Sequence, residues 1–244
     1  MAKKKVYAVR VGKEPGIYNT WAEAEAQVKG FQGAQFKSFS VVADAEAFMK
    51  ESTTEPAKTD EAKAAKKEAY QKASDEAEID AVELSKEAGT LVLYTDGSRK
   101  KKPDTEEIVF GYGTVILDAG DVLHRFGGAS DHPTFAVYEN VAGETMAVVE
   151  GLKWVRQNRP DIKKLVLFYD YQGVGQWAQG SWKAKNIMSQ RYVAFMQSFR
   201  VETGIELVFN HVKGHMGNRF NEMADEEAGQ AIDEFIAKLT LQLA

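Results

Sequence analysis

The stretch Leu91-Val92-Leu93-Tyr94-Thr95-Asp96-Gly97-Ser98 decides how the chain is interpreted. Its apolar and β-favouring residues predict a buried strand that ends at Asp96. In α/β proteins the ends of buried strands are where functional groups collect. Asp-Gly is also a common tight-turn pair, so these eight residues alone leave the role of Asp96 open between chemistry and a turn.

Three further acids occupy comparable positions. Asp170 follows a second apolar strand, Lys164 to Tyr169, and would meet Asp96 if the two strands are neighbours. Glu144 lies in a predicted helix from Glu139 to Arg156, and Asp225 lies in the last predicted helix. Each acid has an ordinary alternative: a turn residue, a helix-dipole partner, a helix cap or a solvated helix position.

If the four acids converge, they need neutralising cations, because clustered carboxylates repel one another. Oxygen ligands without Cys or His favour Mg²⁺ or Mn²⁺ over zinc. Two such ions about 3.5–4 Å apart would activate water and stabilise the leaving oxygen of a phosphodiester. The element order βββαβααβα after residue 89 predicts an α/β domain with a mixed sheet and helices on its faces.

The composition excludes several classes of protein and of functional site. The chain has 244 residues and no cysteine, so it has no disulfide, no thiolate nucleophile and no cysteine zinc site. No apolar run is long enough to span a bilayer, and the basic start is not followed by a long apolar segment or a cleavage site. We therefore expect a globular, cytoplasmic protein. The net charge is −5, but residues 1–50 hold eight basic and five acidic residues, which makes them the better place for phosphate contacts.

Residues 1–50 form a first predicted domain. A strand near Val6, a helix capped by Thr20 and a strand ending at Phe39 are expected, followed by a short helix from Ala43 to Met49. Aromatic and basic side chains alternate along this unit, which suits either a small core or a nucleic-acid platform. Residues 51–88, rich in Ala, Lys and Glu, are predicted to be a flexible linker with at most a transient helix, and residues 89–244 to be the catalytic domain.

The first domain resembles the small hybrid-binding domain found at the N-terminus of many type 1 ribonucleases H. The similarity rests on Tyr7-Ala8-Val9, residues 16–21 (Gly-Ile-Tyr-Asn-Thr-Trp) and residues 33–39 (Gly-Ala-Gln-Phe-Lys-Ser-Phe). It implies an RNA/DNA hybrid duplex as partner, contacted by Tyr7, Trp21, Phe36 and Lys37. Many members carry a second lysine where this chain has Ser38, so one phosphate contact is expected to be weaker.

Residues 91–230 resemble the catalytic domain of type 1 ribonuclease H. The motifs occur in the family's order: Tyr94-Thr95-Asp96-Gly97-Ser98, Gly143-Glu144-Thr145-Met146-Ala147, residues 169–174 (Tyr-Asp-Tyr-Gln-Gly-Val), Val212-Lys213-Gly214-His215 and Asn221-Glu222-Met223-Ala224-Asp225. The resemblance implies a ribonuclease H-like mixed five-stranded sheet with flanking helices. Two features depart from many relatives: Tyr171 stands where serine is common, and a long basic insertion is missing.

The same resemblance implies the functional residues. Asp96, Glu144, Asp170 and Asp225 would be the catalytic, metal-binding acids for two Mg²⁺ ions, with Mn²⁺ as a substitute. His215 would assist proton transfer or product release, and the minor-groove contacts would be Gly97, Asn140 and Gln172. Trp177 and Trp182 fit either a DNA-strand channel or the core equally well.

The implied activity is endonucleolytic hydrolysis of the RNA strand of RNA/DNA hybrids, without an obligatory protein partner. Two alternatives stay open. One is a non-catalytic hybrid-binding protein that retains the fold, which the presence of all four acids disfavours. The other is a related metal nuclease acting on DNA, which the hybrid-binding domain disfavours.

Overall fold

The computed structural model describes residues 5–39, 41–50, 60–103, 105–214 and 216–243. The chain divides into two compact units, residues 1–65 and 66–244. None of the described helices is long and apolar enough to cross a membrane.

The first unit contains a three-stranded antiparallel sheet with strand order β2-β1-β3. Thr20 caps the first helix as predicted, because its hydroxyl accepts from the Glu23 N–H while the Glu23 carboxylate accepts from the Thr20 N–H. A very small core of Val6, Ala8 and Ala45 is covered by Phe39 and Phe48. The elements are β1 (Val6–Val11), β2 (Gly16–Tyr18), α1 (Trp21–Val28), β3 (Gln35–Phe39) and α2 (Val42–Lys50).

The second unit is built on a mixed five-stranded sheet with order β6-β5-β4-β7-β8, as predicted for a ribonuclease H-like fold. Strand β4 lies at its centre, antiparallel to β5 and parallel to β7. The elements are α3 (Asp60–Ser85), β4 (Thr90–Lys101), β5 (Ile108–Asp118), β6 (Asp121–Ser130), α4 (Pro133–Ala136), α5 (Asn140–Asn158), β7 (Lys164–Tyr169), α6 (Gly173–Ala178), α7 (Ile187–Thr203), β8 (Glu206–His211) and α8 (Arg219–Leu243).

Two apolar clusters bury the faces of this sheet. On one face Leu91, Leu93 and Leu167 pack with α5 and α7, and on the other Val92, Tyr94 and Phe168 pack with α8 and with α3. Both faces of β4 are therefore covered, which explains why residues 91–94 are apolar without alternation. The rings of Tyr94 and Phe168 stack at 4.7 Å across the parallel pair.

Strand β4 is longer than the sequence predicts. It continues past Asp96 to Lys101, because antiparallel pairing with β5 extends through Lys101↔Ile108. Parallel pairing with β7 stops at Thr95↔Tyr169. The prediction that the strand ends at Asp96 is therefore wrong for the pairing with β5, which continues to Lys101, and correct for the pairing with β7. Asp96 is not a turn residue.

The predicted flexible linker over residues 51–88 differs from the structure in its second half. Helix α3 spans Asp60–Ser85, and Ala81 is fully buried against the sheet with Ala77, Val82 and Leu84 beside it. Small alanine side chains make a narrow apolar stripe that a search for large apolar residues overlooks, yet they allow close packing on the sheet. The folded catalytic unit thus begins well before residue 89, whereas residues 51–59 lie outside the described part of the chain.

Candidate active site

Asp96 and Asp170 meet because of where strand pairing ends. Asp96 is the first residue of β4 beyond its parallel pairing with β7, and Asp170 is the first residue after β7. The carboxyl ends of two parallel neighbours lie at the same sheet edge, so the two side chains share one cleft. Asp96 remains paired with Gly113 of β5, which holds its backbone within the central strand.

Glu144 reaches the same cleft because α5 packs unusually close to β4. A methyl group added at Gly97 would overlap the Glu144 backbone nitrogen and the Asn140 carbonyl oxygen. Only glycine at position 97 permits this approach. The structure therefore explains the glycine by the packing of α5, and the minor-groove contact of Gly97 stays a prediction.

The three acids form a compact group. One carboxylate oxygen each of Asp96, Glu144 and Asp170 lies within 4.8 Å of the others. Asp96 is 4% exposed and Glu144 is 3% exposed, whereas Asp170 is half-buried. Asp225, carried by α8, lines the same cleft, together with Asn140. The structure thus brings together all four predicted acids, with Asp225 outside the tight group of three.

Burial and mutual repulsion make these carboxylates hard to ionise. Burial, followed by the charges of Asp170 and Asp225, raises the pKa of Asp96 to about 8. Burial, followed by the charges of Asp96 and Asp170, raises the pKa of Glu144 well above its usual range. A cation placed among them would reverse both effects by favouring the charged forms.

The group fits a hard divalent cation. The Oε2 atom of Glu144 is buried without a hydrogen-bond partner among the described residues, which is costly unless another ligand satisfies it. The Asp96 oxygens each accept one bond, from the Gly97 N–H at 2.7 Å and from Asn221 Nδ2 at 3.0 Å. A set of carboxylate oxygens with orienting donors is typical of Mg²⁺ or Mn²⁺ sites.

Asn221 is a further residue of this site, for which the sequence predicted no role. It is buried in α8, and its amide contacts Asp96, an acid 125 positions earlier in the chain. The sequence feature that could have indicated this contact is the position of Asn221 four residues before Asp225, because residues at that spacing lie on one face of a helix. Glu139 was also missed: it enters α5 with φ of 55° and its carboxylate pairs with Arg99 at 3.0 Å beside the cleft.

The predicted histidine, His215, lies outside the described residues. Its neighbour Gly214 contacts the site directly, because a methyl group there would overlap the Asp170 Oδ2 atom. Beside it, the exposed His211 donates from Nε2 to the Asp170 carbonyl oxygen at 2.8 Å, a contact that the sequence did not suggest. The loop after β8 thus lies against the third acid.

The predicted minor-groove residues divide into two groups. Gly97 and the exposed Asn140 line the cleft with the acids. Gln172 is exposed two residues after Asp170, at the start of α6, and does not line that cleft. Trp177 belongs mainly to the core, whereas Trp182 is exposed beside Lys183.

In the first unit the three predicted aromatic contacts form one continuous surface. The Trp21 ring lies 5.6 Å from the Tyr7 ring and 5.6 Å from the Phe36 ring. Trp21 is 41% exposed and Phe36 is 45% exposed. Lys37 follows Phe36 in β3 and therefore begins on the other face of the strand, where its ammonium lies 5.6 Å from the Phe39 ring.

Two known protein families match the chain, one in each of its two units. Residues 5–49 match the family described as the ribonuclease H1 N-terminal domain. Residues 87–233, more than half of the chain, match the family described as RNase H. The chain belongs to the ribonuclease H family.

Similar proteins carry the same family name. Human ribonuclease H1 is 27% identical over 265 residues, which cover 91% of this chain and 87% of the human protein. Ribonuclease H of Ralstonia nicotianae is 31% identical over 160 residues, covering 62% of this chain and 96% of that protein. The solved structure of RNase H1 from Halobacterium salinarum aligns with 59% of this chain and 98% of its own at 20% identity, with a TM-score of 0.48.

Proposed function

We propose that this chain is an endonuclease that hydrolyses the RNA strand of RNA/DNA hybrids by two-metal-ion catalysis. The observation that carries the proposal is the convergence of Asp96, Glu144 and Asp170 within 4.8 Å, with one buried Glu144 oxygen unpartnered. Such an arrangement has little structural value unless cations neutralise it, because buried unpaired carboxylates cost stability.

Asp96, Glu144, Asp170 and Asp225 would hold two divalent ions, Mg²⁺ or Mn²⁺. When bound, such ions neutralise charge on the scissile phosphate and lower the pKa of water. Asp96 would be held ready to bind a cation, because each of its oxygens is already oriented by one donor. The cleft that the acids line is open and polar enough to admit a phosphodiester backbone.

The chain's own residues would orient the substrate and manage protons. A water molecule attacks phosphorus, the bond to the 3′ oxygen breaks, and that oxygen takes up a proton, leaving 5′-phosphate and 3′-hydroxyl ends. We propose that His215 assists this proton transfer or product release, which the contact of Gly214 with Asp170 supports. Gly97, Asn140 and Gln172 are proposed to recognise 2′-hydroxyls in the minor groove.

The first unit would supply affinity for the duplex. The exposed rings of Trp21 and Phe36, with the half-buried ring of Tyr7 beside them, offer a stacking surface that needs no base sequence, and Lys37 adds a phosphate contact. Residues 1–50 carry more basic than acidic side chains, unlike the rest of the chain. We infer that hybrid capture and hydrolysis are divided between the two units.

The test is cleavage of an RNA/DNA hybrid labelled on the RNA strand, with Mg²⁺ and with chelator. Asp170→Asn should abolish cleavage, and Asp121→Asn is the matched control because Asp121 is exposed at the start of β6. Equal activity of wild type and Asp170→Asn would contradict the proposal. Hybrid binding without turnover would indicate a binding protein, and cleavage of double-stranded DNA would indicate a different nuclease.

A further inference from the structure

The buried side chain of Asn218 joins helix α3 to the central strand and to α8. The Asn218 Nδ2 atom donates to the Ser74 carbonyl oxygen of α3 at 3.2 Å and to the Tyr94 hydroxyl of β4 at 3.3 Å. The Tyr94 hydroxyl in turn donates to the Ala77 carbonyl oxygen at 3.3 Å. One amide therefore ties α3 to the central strand directly below Asp96.

The same side chain caps the helix that carries Asn221 and Asp225. Asn218 Oδ1 accepts from the Phe220 and Asn221 N–H groups at 3.2 and 3.1 Å, which satisfies two donors at the start of α8. Asn221 Nδ2 then donates to Asp96 Oδ2 at 3.0 Å. A continuous path of hydrogen bonds thus runs from α3 to the first catalytic carboxylate.

A second contact fixes the same helix end from outside. The Glu78 Oε2 atom accepts from the Arg219 N–H at 3.0 Å, and Glu78 Oε1 lies 3.6 Å from Arg219 Nε. About two turns earlier on α3, Gln71 lies against Gly217. Each of residues 217–219 therefore contacts α3, and Asn218 contacts the central strand as well.

We propose that α3 positions the start of α8, and through Asn221 the carboxylate of Asp96, so that Asn218 and Glu78 are positioning residues for hydrolysis. The proposal rests on the proposed function of the cleft. Asp225 lies seven residues after Asn218, about two helical turns, so a shift of the helix start displaces Asn221 and Asp225 together. Groups that orient metal-binding carboxylates typically change metal affinity or activity by about 10–100-fold.

The experiment compares four variants of the full chain. Asn218→Ser keeps an oxygen that can cap α8 but removes the amide group that donates to Ser74 and Tyr94. Glu78→Ala removes the acceptor for Arg219, and Glu78→Gln keeps an acceptor there. Glu83→Ala is the matched control, because Glu83 lies on the same helix and its ion pair is with Lys86, the residue directly after α3.

The measurements are kcat and KM for hybrid cleavage well below the unfolding temperature, and Mg²⁺ binding by calorimetry without hybrid. Asn218→Ser should lower kcat about tenfold and weaken Mg²⁺ binding with KM for the hybrid unchanged. Glu78→Ala should also lower kcat and weaken Mg²⁺ binding, but by less than Asn218→Ser does. Glu78→Gln should recover part of that loss, and Glu83→Ala should match wild type.

Two outcomes separate this inference from the proposed function. If Asn218→Ser and Glu78→Ala lower the unfolding temperature but match Glu83→Ala in kcat and Mg²⁺ binding, α3 only stabilises the fold and the inference is overturned. If the wild-type protein does not cleave hybrid, the proposed function fails, and unchanged Mg²⁺ binding in Asn218→Ser overturns the inference independently.

Discussion

Asp96 is a carboxyl group that the fold removes from water and surrounds with other acids. Its pKa of about 8 is far above the ordinary aspartate value of 3.8, chiefly because of burial. Between these two pH values the folded, metal-free protein holds a proton that the unfolded chain releases. The free energy of unfolding contributed by this group is therefore greatest below pH 4 and decreases as the pH rises through 8.

The decrease in the free energy of unfolding with rising pH can be tested. In chelator the unfolding temperature should fall as the pH rises from about 5 to about 8, and Asp96→Asn should remove part of that fall because asparagine does not titrate. The remainder belongs to Glu144, whose pKa is also raised. Thermal unfolding followed by circular dichroism checks this, and a variant with the same pH slope as wild type would show that Asp96 is not the titrating group.

Gly214 offers a residue-scale test of how tightly the loop after β8 holds Asp170. In Gly214→Ala the new methyl group would overlap Asp170 Oδ2, so the carboxylate or the loop must move. We expect at least a tenfold loss of hybrid cleavage and weaker Mg²⁺ binding, with the fold retained. Gly229→Ala in α8 is the control, because a methyl group there meets nothing within 4 Å.

At the scale of elements, α8 lies closer to the sheet than ordinary side chains would allow. A methyl group at Gly113 of β5 would overlap the Ala224 carbonyl oxygen, and one at Gly111 would overlap the Ala228 carbonyl oxygen. Glycine costs strand stability by itself, so its presence in β5 is explained by this close helix packing. The approach brings Asn221 to Asp96 and Asp225 to the cleft.

Gly113→Ala should therefore destabilise the protein, by about 1–3 kcal/mol or more, because the packed helix backbone must shift. Gly229→Ala should be neutral or stabilise it by roughly 0.5–1 kcal/mol, since alanine favours helix over glycine. Denaturant unfolding of both variants provides the comparison. Equal stability of Gly113→Ala and wild type would mean that α8 can move away from β5 without cost.

At the scale of the whole molecule, two units of different charge and chemistry share one chain. Replacing both Trp21 and Phe36 by alanine should raise KM for the hybrid about tenfold or more, since stacking on each aromatic ring is worth about 1–3 kcal/mol. The value of kcat at saturating hybrid should not change, because neither ring lies in the catalytic unit.

The control is Val201→Ala, which truncates an exposed apolar side chain on α7. Lys37→Ala should in addition reduce the slope of log KM against log salt concentration by about one, which is the change expected when one phosphate contact is lost. A fall in kcat equal to the change in KM, or salt slopes identical to wild type, would contradict a division between capture and hydrolysis.

Local sequence patterns were sufficient for most of the fold. The apolar run before Asp96, the strand before Asp170 and the helix carrying Glu144 appear where residue patterns place them, because buried strands and capped helices leave short-range signals. The strand order and the meeting of the four acids were implied by resemblance to a family. The extent of β4 and the packing of α3 were predicted wrongly, because both depend on partners distant in sequence.

The sequence by itself determined which residues could carry the chemistry: four acids, a set of exposed rings and a basic first unit. Only the tertiary structure decided that Asp96 stays within the central strand, that Gly97 serves the approach of α5, and that Asn221 orients Asp96 across 125 positions. It also decided that α3 belongs to the catalytic unit from Lys66 onward. The physical reason is that close backbone approach and buried hydrogen bonds join residues without local periodicity, so no short window of sequence records them.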